Sequence, residues 1–147
     1  KENNLDNIVV HDFGLSNNTE EVDISFEKTN IGGSSIKQIS SSLDSYRIKI
    51  KTIKLDDLNL NNISFIKVDI QDHEYEFLLG AVDTLKRNNP FIILELPNRN
   101  DYENKLFKNC CNFLDNLGYK YKLKLASKDW GFSKTKILNP ESLVKKR

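Results

Sequence analysis

Twenty-two basic residues against 21 acidic ones leave the 147-residue chain with a formal net charge of +1, which excludes a nucleic-acid binder that works by bulk positive charge. With 38% hydrophobic and 29% charged residues, one domain over 1–147 can bury a sizeable core. No run of about 18 apolar residues occurs, so no transmembrane helix is expected.

The adjacent Cys110 and Cys111 point in different directions on a helix. They make neither a disulfide framework nor a metal site, and reduced thiols in a cytoplasmic protein are the expectation. No signal peptide opens the chain. Lys1 in place of Met reads as a cut N-terminus, and Val144–Arg147 reads as a solvated basic tail.

In chain order, Ile8-Val9-Val10 is a β-branched run that continues through His11-Asp12-Phe13 and predicts a strand closed by a turn at Gly14–Asn18. Glu21–Glu27 alternates with period two, placing Val22, Ile24 and Phe26 toward the core. Asn30–Ser35, with Gly32-Gly33, reads as a loop, and Ser40–Ser45 as polar and mobile. Tyr46–Ile53 alternates again and suggests a half-exposed or edge strand. Leu55–Leu58 predicts a helical turn.

Ile63–Ile70 is apolar on both phases, the mark of a strand buried on both faces of a parallel sheet. A helix follows from Glu74, with Phe77, Leu78, Ala81, Val82 and Leu85 at helical spacing, Asp72 as N-cap and Asn88-Asn89-Pro90 as stop. Phe91–Leu96 is a second strand expected to be buried on both faces, closed by Pro97. Asp101–Leu117 is an amphipathic helix with a Leu106, Phe107, Cys110, Phe113, Leu114, Leu117 stripe, ended by Gly118. Tyr119–Leu125 is a strand, Asp129–Phe132 a loop, and Thr135–Leu138 a last strand forming an antiparallel edge hairpin with it. Buried strands alternating with helices predict an α/β sheet with right-handed crossovers.

Ligands of open α/β sheets bind beyond the carboxyl ends of the strands. That rule selects His11–Ser16, Asp69–Glu74 and Glu95–Asn98. Asp69 and Glu95 stand at corresponding ends of neighbouring strands, where two carboxylates can share a proton, a hydroxyl or a metal; the bland role for such an acid is to cap the following helix. His73, beside Asp69, Asp72, Glu74 and Glu76, is either a general base or a first-turn surface residue. Trp130 either lines a pocket or packs at the sheet edge. The sequence holds no G-x-G-x-x-G turn, P-loop, C-x-x-C, H-E-x-x-H or G-x-S-x-G.

Phe65–Ala81 (FIKVDIQDHEYEFLLGA) resembles the signature of FkbM-type methyltransferases: a strand ending Lys-x-Asp, then Glu-Gly-x-Glu, then a Leu-x-Gly-Ala helix. Ile53–Leu58 looks like the family's Thr-Leu-Asp-Asp-Leu element, Pro90–Leu96 like its Pro-x-x-x-x-Glu strand, Phe13–Asn17 like its Ala-Leu-Ser-Asp turn, and Gly32–Ser35 like its Gly-Ser stretch. Lys67, Asp69, Glu74, Gly80, Ala81 and Glu95 match; Gln71-Asp72 replaces the family's Glu-Gly, which removes a charge and puts Asp where Gly allows φ > 0.

The resemblance implies a Rossmann-like class I methyltransferase sheet, mostly parallel with an antiparallel C-terminal strand. It also implies that the N-terminal strands and Gly-rich loop lie outside this partial domain, leaving buried edges unpaired and the isolated chain marginal and poorly soluble. The cofactor implied is S-adenosylmethionine, bordered by Phe13, Gly14, Asp69 and Glu74; Asp69, His73 and Glu95 are the implied base or acceptor-orienting residues. The partner implied is a small-molecule or glycan hydroxyl acceptor, with no nucleic acid, no membrane span and no metal-ligand residues assigned, and with metal dependence and the oligomeric state left open. The alternative is a degenerate, non-catalytic α/β binding domain.

Overall fold

The computed structural model describes residues 5–27, 30–35, 45–97 and 100–136. They form two four-stranded sheets and three helices. The first sheet contains β1 (Gly14–Leu15), β2 (Glu20–Glu27), β3 (Asn30–Ser35) and β4 (Ser45–Ile53) in the order β1-β4-β2-β3. The second contains β5 (Phe65–Val68), β6 (Phe91–Glu95), β7 (Tyr121–Lys124) and β8 (Asp129–Ser133) in the order β5-β6-β8-β7. The helices are α1 (Glu74–Leu79), α2 (Val82–Asn88) and α3 (Asp101–Asn116), with a 3-10 turn at Leu55–Leu58.

The architecture is mixed α/β, and the expectation of a mostly parallel sheet needs correction. Among the described residues only β1 with β4 and β5 with β6 run parallel; the pairings β2–β3, β2–β4, β6–β8 and β7–β8 are antiparallel. Parallel neighbours need a long crossover, supplied here by α1 and α2 between β5 and β6. An antiparallel hairpin does follow α3, but its second strand is Asp129–Ser133 in place of the expected Thr135–Leu138, whose residues 135 and 136 are not in a strand; β8 lies inside the sheet and β7 at its edge.

Several boundaries differ from the sequence reading. Ile8, Val9 and Val10 are not a strand; Val10 is 85% exposed, and pairing begins at Gly14, opposite Thr52. Branching at Cβ favours extended backbone, but a strand needs a partner, and pairing with β4 starts later. Asn30–Ser35 is strand β3, because backbone pairing to β2 needs no large side chains. Of the two alternatives for β4, a half-exposed strand agrees with the structure and an edge strand does not: it lies between β1 and β2, with Arg47, Ile48, Lys49 and Lys51 exposed and Thr52 fully buried, donating to the carbonyls of Asn18 and Glu20. Asp129–Phe132, expected as a loop, lies in β8; residues 137 and 138 of the expected last strand, 40–44 of the polar stretch and 144–147 of the basic tail lie outside the described residues.

β5 is buried on one face only. Val68 is in the core, while Phe65 is 53% exposed and Lys67 faces solvent. Its apolar content on both phases matches a doubly covered strand, but among the described residues β5 is a sheet edge with only one face packed. β6 shows the same asymmetry: Ile92, Leu94 and Leu96 are fully buried and Phe91, Ile93 and Glu95 half-buried. On the packed face Ile92, Leu94 and Phe132 join Phe77, Leu78 and Leu85 of the first two helices and Leu106, Cys110 and Leu114 of α3 in one core. Each such aliphatic side chain withdrawn from water stabilises by roughly 1.5–3 kcal/mol. The α3 stripe is as expected, Asn100 caps its start by accepting from the Glu103 N–H, and Gly118, at φ 92°, ends it.

The helix expected to run from Glu74 to Asn88 is broken at Gly80–Ala81. The break is made from outside the segment. The Asp56 N–H donates to the Gly80 carbonyl, and the Asp56 carboxylate accepts from the N–H groups of Asp83 and Thr84 at 3.1 and 2.7 Å. The 3-10 turn thus supplies the N-terminal cap that α2 lacks in its own sequence. Ser16 closes the same junction, its carbonyl seated where a Cβ on Gly80 would lie. Asn89 then stops α2 in the left-handed region, φ 52°.

Candidate functional site

A cleft of about 200 Å3 opens past the carboxyl ends of β5 and β6, lined by Gln71, Asp72, Glu74, Glu95, Pro97, Glu103 and Lys128. β5 ends at Val68, and the chain turns through Gln71 and Asp72, both in the left-handed region at φ 51° and 69°. Two such residues in succession reverse the chain and bring Glu74 back under the strand end. The position matched to the family's Gly, Asp72, does take φ > 0. Asp72 does not cap α1: the N-cap position is His73, with no side-chain cap bond.

Glu74 is the most unusual group here. Its side chain is 1% exposed, yet it opens α1, where a carboxylate ordinarily sits in water beside the free N–H groups. One oxygen, Oε1, accepts from the Ile70 N–H at 3.3 Å; the other, Oε2, is buried with no hydrogen-bond partner. Burial pushes its carboxyl up from 4.5 to about 7; backbone hydrogen bonds pull the other way, and the nearby charges of Asp72 and Asp69 add to the rise.

Glu95, at the end of β6, faces the same cleft and pairs with Lys128 Nζ at 3.0 Å. Glu103, in the first turn of α3, completes the acidic wall and is nearly buried. Four carboxyl groups against one lysine give the cleft an acidic character. No group of three or more His, Cys, Asp or Glu among the described residues has the geometry to hold a metal ion. Cys110 and Cys111, on α3, are not in a disulfide.

Of the six residues selected from the sequence, Glu74 and Glu95 meet in the cleft. Asp69 is half exposed at the adjoining strand end, 3.8 Å from Lys67 Nζ, and accepts from the Gln71 amide. Lys67 in turn reaches Asp129 of β8 at 2.8 Å. His73 is not among the lining residues. Its Nε2 lies 2.9 Å from Ser16 Oγ and its Nδ1 3.7 Å from a Glu76 oxygen. Phe13, its ring tilted by 32° against that of His11, and Gly14, paired with Thr52, belong to the β1 segment outside the cleft wall. Trp130 packs edge-on against Phe107, with Lys122 and Lys124 over its ring.

Sequence reasoning missed Glu103 and Lys128. Glu103 sits three residues after Asn100, the spacing of a capping residue that ordinarily faces water. Lys128 lies in a polar turn whose position opposite Glu95 is set by the β6–β8 register.

The model of the Methyltransferase FkbM domain matches residues 1–121. No curated protein and no solved structure matches the chain. The matched span includes the strand end, the Gln71-Asp72 turn, Glu74 and Glu95, and the chain belongs to the FkbM methyltransferase family.

Proposed function

We propose that the chain, as a single partial domain over 1–147, forms the acceptor side of an S-adenosylmethionine-dependent methyltransferase that O-methylates a sugar or other small hydroxyl compound in the cytoplasm. One observation carries this reading: the buried, unpartnered Glu74 Oε2 in an acidic cleft at the carboxyl ends of β5 and β6. The order β5-β6-β8-β7, parallel at one end and closed by an antiparallel hairpin, agrees with a Rossmann-like methyltransferase sheet. No helix of the described residues is long and apolar enough to cross a membrane.

The residues present fit a cationic methyl donor. Four carboxyl groups outnumber the one lysine, which Glu95 already pairs, and Oε2 of Glu74 has no competing partner. Glu74 and Asp69 would stand toward the positive charge, and Phe13 and Gly14 toward the adenine. The bound sulfonium supplies an electrophilic methyl group. The chain's own residues contribute alignment and proton handling, the two aids that in-line displacement needs. Glu95, held by Lys128, orients the acceptor hydroxyl; Asp69 and His73 are the remaining candidates for that role. At about 200 Å3 the cleft is smaller than the usual ~300–1,000 Å3 of a ligand site and accommodates one part of a ligand.

The full-length protein is the right material for the test. S-adenosylmethionine should bind with a calorimetric Kd in the micromolar range, and radiolabelled methyl should appear on neutral glycans or other polyols. Absence of both binding heat and transfer across a broad acceptor panel defeats the assignment.

The strained turn favours a second reading, a degenerate domain that binds without turnover. Gln71 and Asp72, where the family has Glu-Gly, sit at φ 51° and 69°, and a non-Gly residue there costs up to about 1–2 kcal/mol. Asp72→Gly should hold or raise stability and raise any methyl transfer several-fold. Asp72→Val, branched at Cβ, should destabilise by about 1–2 kcal/mol. An Asp72→Gly protein that binds the donor but stays inert on every acceptor selects the degenerate reading.

A further inference from the structure

Two acids share the cleft, and their surroundings separate their roles. Glu95 is neutralised by Lys128 at 3.0 Å, so it is a fixed, paired anion suited to holding a hydroxyl in place. Glu74 has no cation beside it in the cleft. One oxygen is anchored by the Ile70 N–H, which fixes the direction of the carboxyl plane; the second is buried without a hydrogen-bond partner, in a residue that lines the cleft. A buried oxygen without a partner is costly, by about 1–3 kcal/mol, and is kept where a ligand or a proton completes it.

We propose that Glu74 is the proton acceptor for the methyl-accepting group, its Oε2 receiving the proton that the acceptor hydroxyl gives up. This rests on the methyltransferase reading and deepens it. The acceptor oxygen forms a bond to the methyl carbon as the carbon–sulfur bond breaks, and that electron pair stays on sulfur. The O–H bond breaks, its electron pair stays on the acceptor oxygen, and the proton joins Oε2. The cationic donor and the carboxylate both end neutral, so no net charge is left in a poorly solvated corner.

The same geometry makes donor binding a switch for the base. Burial, and after it the negative charges of Asp72 and Asp69, push the Glu74 carboxyl up to about 7. Glu95 with its Lys128 partner and Glu103 complete the titratable surroundings. A sulfonium charge nearby favours the carboxylate and frees Oε2 to accept. The acidic wall also disfavours anionic acceptors, so neutral or amino-bearing polyols are the substrate class.

The test uses the full-length protein with 13C-labelled glutamate, the Glu74 signal being assigned from Glu74→Gln. Its titration midpoint should lie near 7 in the free protein, fall by at least about one pH unit with S-adenosylmethionine, and stay near its free value with the uncharged S-adenosylhomocysteine. Glu74→Gln should lower kcat by about 100-fold or more, weaken donor binding by about five- to ten-fold at and above pH 7, as the midpoint shift requires through linkage, and remove the rise of kcat with pH. A midpoint that ignores the donor's charge overturns the proposal, as does an unchanged pH profile in Glu74→Gln. Those results leave the methyltransferase assignment standing if the wild type still transfers methyl. A wild type that neither binds nor transfers overturns both.

Discussion

Oγ of Ser16 lies 2.9 Å from Nε2 of His73, joining the residue after β1 to the start of α1 across 57 positions of sequence. The hydroxyl has one proton, and it donates that to Asn17 Oδ1 at 3.2 Å. Nε2 must then be the donor to Ser16. Nδ1 faces the Glu76 carboxylate at 3.7 Å, so the imidazole sits between two parts of the fold instead of opening into the cleft.

That placement predicts how His73 responds to substitution. Ser16→Ala and His73→Ala should each destabilise, by about 1 kcal/mol for the lost hydrogen bond plus the burial defect. In a double-mutant cycle the pair should show a coupling of about 0.5–1.5 kcal/mol in urea unfolding. A coupling indistinguishable from zero, with His73→Ala losing turnover at unchanged stability, returns His73 to a direct role in chemistry.

Gly80 is held by a neighbour rather than by its own torsions. Its φ is −87°, open to any residue. A Cβ there would sit 2.0 Å from the Ser16 carbonyl oxygen and 3.3 Å from Asn17 Cα, both backbone atoms that cannot rotate aside. Gly80→Ala should therefore cost at least about 2 kcal/mol, in the range of overpacked cores, although alanine is the better helix former. Thermal unfolding measures it; an unchanged or raised Tm shows that the junction can open without penalty.

The helix break at Gly80 shows where sequence reasoning stops. The apolar spacing from Phe77 to Leu85 is continuous, and nothing within the segment announces an interruption. The cause lies with Asp56 and Ser16, distant in sequence, and becomes visible only after the chain has folded. Residues whose partners are local were legible: the α3 stripe, Asn89 and Gly118 as helix ends, and the left-handed turn at Asp72. Residues whose state depends on distant partners were not. Ile8–Val10 has strand composition without a partner strand, Phe65 has core composition at a sheet edge, and Glu74 has the position of a solvated first-turn acid while being buried. The cleft was located by the strand-end rule, but its two-sided wall needed Glu103 and Lys128, brought in by α3 and the β6–β8 register.

Asp56 serves as a cap delivered from another element. Both its carboxylate oxygens are engaged, by the Asp83 and Thr84 N–H groups, and its own N–H holds the Gly80 carbonyl. Asp56→Ala leaves two helix N–H groups unsatisfied and should cost about 1–2 kcal/mol. Asp56→Asn retains an acceptor and should recover roughly half of that. Asp57, which accepts from Thr19 at 3.2 Å on the exposed side, should tolerate alanine within about 0.5 kcal/mol. Equal losses at the two positions would show that the 3-10 turn matters as a unit and not through the Asp56 carboxylate.

Glu74 also predicts a dependence of stability on pH, with a definite sign. Burial raises its carboxyl from 4.5 to about 7 in the folded protein. Between those values the native state holds a proton that the unfolded chain has released. Stability must therefore fall as pH rises through this window, the reverse of a carboxylate held by a salt bridge. The contribution is fully present below about 4.5 and lost above about 7; a shift of this size corresponds to on the order of 3 kcal/mol. Glu74→Gln keeps the shape and removes the titration. Compared with wild type, it should be of similar stability near pH 4.5 and more stable by on the order of 2–3 kcal/mol at pH 8, read from urea midpoints at constant ionic strength. A difference between the two proteins that stays flat from pH 4.5 to 8 would mean that Glu74 is already ionised in the native state, and with that the case for a poised proton acceptor in the cleft is lost.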